Sequence, residues 1–189
     1  MTVETQPAVS HPAVQTGRTP HYLVGFLLIA ASVIIADQLS KAMIRATLPL
    51  GSEAPLVPGW AHLSHVLNSG AAWGILHGQR FFLIGVTLCV LVVVGLLARE
   101  FAARGAMAMS GLGLILGGAV GNLIDRLRFG SVTDFIDLDT PVVWLQRFPV
   151  FNLADAALTV GVTLLLIDLL LGGHREAGKR KTKPADAGL

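Results

Sequence analysis

The chain has 189 residues, 53% of them hydrophobic and only 14% charged, with a net charge of +2 and a mean hydropathy of +0.67. Its apolar residues come in long blocks rather than amphipathic stripes, which excludes an ordinary soluble domain and identifies an integral membrane protein. The single cysteine, Cys89, excludes a disulfide framework within one chain. Its place inside an apolar block reads as a small buried apolar residue rather than a nucleophile.

Residues 1–20 are rich in proline and poor in large apolar side chains, as in a disordered tail. Four apolar blocks follow, roughly His21–Thr47, Phe81–Arg99, Met107–Leu123 and Leu153–Gly172. Each is long enough to span a hydrocarbon core, which needs about 20 helical residues. The first block has no small-x-small cleavage site after its apolar stretch and reads as a retained signal-anchor helix. In the 48–79 connection, Trp60-Ala61-His62-Leu63-Ser64-His65-Val66-Leu67 partly alternates and leads into Asn68-Ser69-Gly70-Ala71-Ala72-Trp73. That pattern predicts a small strand-and-turn platform resting on the membrane, with Trp60 and Trp73 at its interface. His62 and His65 lack accompanying ligands at metal-binding spacing and read as surface histidines. The expected fold is a mainly α membrane protein: four transmembrane helices in residues 21–172, with a small outward-facing β-rich platform between the first and second.

Orientation follows from the basic residues. The 173–189 tail carries Arg175, Lys179, Arg180, Lys181 and Lys183, whereas the 48–79 segment has no Lys or Arg. Both termini are therefore expected in the cytoplasm, and the 48–79 and 124–152 segments outside. Arg126, Arg128 and Arg147 lie on the outer side against the rule, as arginines held by a local function do.

Polar residues inside the blocks are costly and point to function. Asp134, in Gly130-Ser131-Val132-Thr133-Asp134-Phe135, and Asp155, in Phe151-Asn152-Leu153-Ala154-Asp155, stand at the edges of apolar segments, and a pair of such carboxylates argues for chemistry on a substrate at the membrane. At 1.5 Å per residue, Asp37 lies roughly 22 Å beyond Tyr22, and Asn122 roughly 22 Å beyond Met107, in a core of about 30 Å. Both fall in the outer third, the layer of Asp155 and of the start of the Asp125–Asp134 loop. Asp37 and Lys41 are spaced i,i+4 for a charge pair, as are Asn122 and Arg126 for a shared face, while Asn152 and Asp155 are i,i+3. Asp168 has no evident partner and is read as reaching for the opposite interface. Gly113, Gly117 and Gly121 recur every four residues, a register that lets helices approach closely and favours packing over chemistry.

Asp37-Gln38-Leu39-Ser40-Lys41, Asn68-Ser69-Gly70-Ala71-Ala72-Trp73, Gly121-Asn122-Leu123-Ile124-Asp125-Arg126 followed by the Asp134 motif, and Phe151-Asn152-Leu153-Ala154-Asp155 resemble, in order, the signature blocks of bacterial lipoprotein signal peptidase, or signal peptidase II. The resemblance covers roughly residues 22–172, and Trp73 stands where the family commonly has Phe. It implies an aspartic endopeptidase of the bacterial inner membrane that removes the signal peptide from diacylglyceryl-modified prolipoproteins on the N-terminal side of the lipobox cysteine. It implies Asp134 and Asp155 as the catalytic dyad, with Asn68, Asn122, Arg126 and Asn152 supporting the dyad or binding substrate. Asp37 and Lys41 are expected to brace the first helix. Prolipoproteins and membrane lipids are the implied partners, with no nucleic acid, metal or organic cofactor. A small proton-coupled transporter is the alternative, but it favours internal repeats and a midplane site. A Gly-x-Gly-Asp protease lacks its motif, since Gly111-Leu112-Gly113 is followed by Leu114, and a non-enzymatic scaffold leaves the carboxyl pair unexplained.

Overall fold

In lipid, every backbone N–H and C=O must be satisfied within the protein, so each apolar block closes into a helix. The computed structural model describes residues 19–70, 76, 78–102, 104–142 and 147–181, with backbone alone for 19–20 and 172–181. Its elements run α1 (Thr19–Thr47), β1 (Glu53–Val57), β2 (Ala61–Asn68), α2 (Arg80–Phe101), α3 (Ala106–Phe129), β3 (Val132–Asp137) and α4 (Leu153–Lys181). All four helices are long and apolar enough to cross a membrane. The expected Trp73 contact lies outside the described residues.

α3 is the axis of the bundle: 67% of its most apolar window is buried, against 17% for each of the other three helices. Glycines give it that place. A Cβ added at Gly113 would lie 2.9 Å from the Phe26 carbonyl oxygen, and one at Gly117 would lie 2.6 Å from Val33 Cβ. Both therefore set α1 directly against the α3 backbone, as the four-residue repeat predicts. On the other face Gly111 and Gly161 oppose one another across the α3–α4 contact, where an added Cβ would come within 2.9 Å and 2.7 Å of the facing carbonyl oxygens. α2 packs on α3 through Val94, Ala98, Met109, Leu112 and Ile115. An apolar groove remains between α2 and α4, floored by Leu112 and Ile115 of α3. Cys89 is exposed on its α2 wall rather than buried, because α2 meets the bundle along one stripe only.

Four further expectations are corrected. The β platform is not built from the 48–79 segment alone: β3, from between α3 and α4, pairs antiparallel with β2 to complete a sheet of order β1-β2-β3. α3 does not end at Leu123 but runs to Phe129 and stops at Gly130, whose φ of 81° supplies the left-handed cap. Its polar last turns are compatible with a helix because Asp125 finds buried partners. Asp168 does have a partner: its carboxylate accepts a 2.7 Å hydrogen bond from Arg104 Nε, tying the α2–α3 connection to α4. His65 is buried, with Nδ1–H donating to the Leu48 carbonyl at 2.8 Å, whereas His62 is half-exposed.

The basic residues at the sheet end are also held locally. Arg45 donates to Thr133 Oγ1 at 2.8 Å, Arg80 to the Leu127 carbonyl at 2.9 Å and Arg126 to the Gly70 carbonyl at 3.1 Å. Cations around the carbonyl end of α3 complement its macrodipole.

The packing has a direct test in thermal unfolding in detergent. Gly117→Leu drives a side chain into Val33 and the α1 backbone and should cost about 1–3 kcal/mol or more. Gly95→Ala, where an added Cβ meets nothing within 4 Å, should be neutral or raise stability by up to about 1 kcal/mol through helix propensity.

Candidate active site

Asp37, Lys41 and Arg45 are successive i,i+4 positions, so α1 turns one charged face toward α3. Opposite them α3 presents Gly121, Asn122, Asp125 and Arg126; β2 ends at Asn68, β3 carries Asp134, and α4 begins beside Asn152. The sequence residues predicted to act together converge at this one end of the bundle.

The start of α4 is fixed from two directions. Asn152 Oδ1 accepts the Asp155 N–H at 3.0 Å, and Asp155 Oδ2 accepts the Asn152 N–H at 3.3 Å. This is the reciprocal arrangement of a capping box. Asp37 then reaches across from α1, its Oδ1 accepting the Ala154 N–H at 3.0 Å. A carboxylate from another helix thus satisfies one of the unpaired donors of the α4 N-terminus. Gly121 makes this possible, because a Cβ there would lie 2.6 Å from Asp37 Oδ2.

Asp37 and Lys41 form the predicted ion pair at 2.8 Å, both side chains fully buried. Lys41 Nζ also donates to Asn122 Oδ1 at 2.9 Å. The other end of that amide, Nδ2, donates to Asp155 Oδ1 at 2.7 Å. Asn152 Nδ2 donates to Asn122 Oδ1 at 3.2 Å and to Asp134 Oδ1 at 2.6 Å. From β2, Asn68 Nδ2 donates to Asp134 Oδ2 at 2.9 Å while its own Oδ1 accepts the Gly70 N–H. Every carboxylate oxygen of Asp134 and Asp155 therefore receives a protein donor, and Asn152 touches both carboxylates.

A cavity of about 430 Å³ opens onto this pair. Asn68, Asn122, Arg126, Asp134 and Asp155 line its polar side, and Val132, Phe148, Phe151 and Leu158 its apolar side. Phe148 and Phe151 meet edge to face, centroids 5.5 Å apart. Burial, then the charge of Asp155, pushes the Asp134 carboxyl up to about 6, against the opposing pull of the Asn68 and Asn152 donors and of Lys41. Among the described residues no His, Cys, Asp and Glu group of three or more is placed to hold a metal.

Three contributors escaped the sequence reading as individuals. Asp125, fully buried, accepts the Thr133 N–H at 2.9 Å and so fixes β3 one residue before Asp134. Arg45 braces Thr133 and Asp125, and Gln38 bridges Asp37 to the Gly121 carbonyl. Their signal was present in register: Arg45 extends the Asp37–Lys41 face by one turn, and Asp125 sits i+3 from Asn122.

Residues 29–171 match the sequence pattern of signal peptidase (SPase) II. The chain belongs to the signal peptidase II family. It is 42% identical over 159 residues to a lipoprotein signal peptidase of Moorella thermoacetica, covering 84% of this chain and 99% of that one. It is also 40% identical over 150 residues to that of Brevibacillus brevis, covering 79% and 97%. A solved bacterial membrane enzyme, determined by the in meso method at 2.3 Å resolution, superposes with a TM-score of 0.76 at 34% identity, covering 87% of this chain and 96% of that one. As a signal peptidase II family member the chain is a protease and a multi-pass bacterial membrane protein.

The raised Asp134 carboxyl makes a signed prediction. A folded-state value of about 6 against an ordinary 3.8 means that ionising Asp134 opposes folding: the penalty is absent below 3.8, grows through that window and is complete above about 6. Asp134→Asn removes it. The stability difference between variant and wild type should move in the variant's favour between pH 4 and pH 8, by as much as about 3 kcal/mol, read from unfolding midpoints at both pH values. A pH-independent difference would contradict the burial argument.

Proposed function

We propose that this protease removes signal peptides from diacylglyceryl-modified prolipoproteins, cutting on the N-terminal side of the lipid-bearing cysteine, with Asp134 and Asp155 as the catalytic dyad. The observation that carries the reading is Asn152, which hydrogen-bonds both carboxylates where they line one largely apolar cavity. The relatives' designation as lipoprotein signal peptidases supplies the substrate class.

Two neighbouring buried carboxyls resist ionising together, so the pair holds one proton near neutral pH and titrates as a unit. The ionised member takes a proton from water, and the resulting hydroxide attacks the carbonyl preceding the lipid-modified cysteine. The protonated member donates to the carbonyl oxygen. Collapse of the tetrahedral intermediate breaks the C–N bond, and a proton from the dyad goes to the leaving amine. The asparagine donors hold both carboxylates in place, so little reorganisation accompanies the reaction. Arg126, beside both carboxylates in the cavity lining, has spare donors for substrate carbonyls.

The distribution of basic residues supports an orientation with both termini in the cytoplasm and the cavity near the outer leaflet. In that setting the substrate's apolar helix and acyl chains stay in lipid while the scissile bond enters the polar side of the cavity. A proton-coupled transporter is less well supported, since the polar groups gather at one end of the bundle rather than at its middle.

Asp134→Asn and Asp155→Asn should each abolish conversion of a lipidated precursor to its shorter product, a loss of at least about 10³-fold. Asp139→Asn, at an exposed carboxylate whose contact is His62, should retain conversion. Gel-shift processing in a strain lacking the native enzyme reads this, and normal processing by either of the first two variants would sink the dyad. A reporter active only outside the cytoplasm, fused after Leu189, should be silent; strong activity there would reverse the orientation.

A further inference from the structure

The Lys41 ammonium is buried with its charge already balanced by Asp37, 2.8 Å away. A pair that only braced α1 could take the remaining Lys41 N–H bonds to any acceptor, and the Asp125 carboxylate lies 3.8 Å from Nζ. Yet Nζ also lies 2.9 Å from Asn122 Oδ1, and the consequence of that contact reaches the cavity. An ammonium has donors and no acceptor, whereas an amide side chain has one accepting end and one donating end. With Oδ1 held against Lys41, Asn122 must turn Nδ2 the other way, where it meets Asp155 Oδ1 at 2.7 Å. The half-turned amide would set donor against ammonium and acceptor against carboxylate, losing both bonds. The same Oδ1 receives Asn152 Nδ2, the group that reaches Asp134.

The two other asparagines are oriented by backbone. Asn68 Oδ1 accepts the Gly70 N–H, and Asn152 Oδ1 accepts the Asp155 N–H. Asn122 alone of the three has its polarity set by side chains, Lys41 at 2.9 Å and Asn152 at 3.2 Å, and of these Lys41 makes no hydrogen bond or ion pair with Asp134 or Asp155. We infer that Lys41 is a positioning residue for peptide hydrolysis: by fixing the Asn122 amide it aims one N–H at Asp155 and provides the oxygen that steadies the Asn152 amide on Asp134. This rests on Asp134 and Asp155 being the catalytic pair.

The experiment separates this role from a brace. Lys41→Met alone would strand the Asp37 carboxylate, so Asp37→Asn serves as the reference background; it keeps an oxygen for the Ala154 N–H, and Lys41 retains Asp125, 3.8 Å away, as its counter-charge. On full-length enzyme in detergent with a lipidated precursor, Asp37→Asn/Lys41→Met should lose about 100-fold in kcat relative to Asp37→Asn, the scale of one misplaced donor, with KM changed less than about threefold. Asp37→Asn/Lys41→Gln restores a neutral N–H donor toward Asn122 and should recover at least tenfold of that loss.

The pH profile gives a second readout. Asp134 is faced by Asp155 of α4, by Lys41 of α1 and by Arg126 of α3, with uncharged Asn68 on β2 and Asn152 before α4. Removing the Lys41 cation should move the alkaline limb to higher pH in both double variants. If the Met variant keeps kcat within threefold of the reference, Lys41 is only a brace; if Gln and Met are equally impaired, amide orientation is not its role. Should the Met variant fail to fold, a 100-fold kcat loss in the Gln variant overturns the inference. Failure of the dyad itself looks different, since Asp134→Asn or Asp155→Asn would then still cleave.

Discussion

The Asp37 carboxylate is the contact on which the rest of the arrangement depends. It binds Lys41 and Gln38 within α1, sits over Gly121 of α3, and caps the buried Ala154 N–H of α4. A buried carboxylate is costly without full compensation, so its location is possible only where all three helices are already in register. Removing one partner of such a cluster leaves an uncompensated charge, which is why it specifies geometry more strongly than it adds stability.

From that junction the polar groups spread outward in order. Lys41 orients Asn122, Asn122 meets Asp155, and Asn152 links both carboxylates while capping α4. Asp125 performs the equivalent service for the strand, seating Thr133 beside Asp134. The acidic pair is thus borne on rigid elements, one at the start of a helix and one in a strand. Hydrogen bonds that are satisfied throughout such a network tend to hold one arrangement rather than several.

Much of this was legible in the chain. Apolar block lengths located all four helices, glycine spacing located the close contacts of α3, and depth arithmetic placed Asp37, Asn122 and Asp155 in one layer. The third strand was not legible, because Val132–Asp137 acquires its meaning only by pairing with β2, a contact spanning some 70 residues of sequence. The Arg104–Asp168 pair was hidden for the same reason. Asp125 was overlooked because it was read as the first residue of a loop; its helical placement became evident only once its partners on α1 and β3 were known. Cys89 was misjudged because apolar surroundings in a membrane protein do not separate a core from a lipid-facing wall.

That last correction has a practical side. Cys89 is the sole thiol of the chain and stands on the wall of the groove between α2 and α4, well away from the carboxylates. A spin or fluorescent probe can therefore be attached to the unaltered sequence at a single defined place. It would report, from the hydrocarbon side, on whatever enters that groove, with no prior removal of other cysteines and no change to the acidic centre.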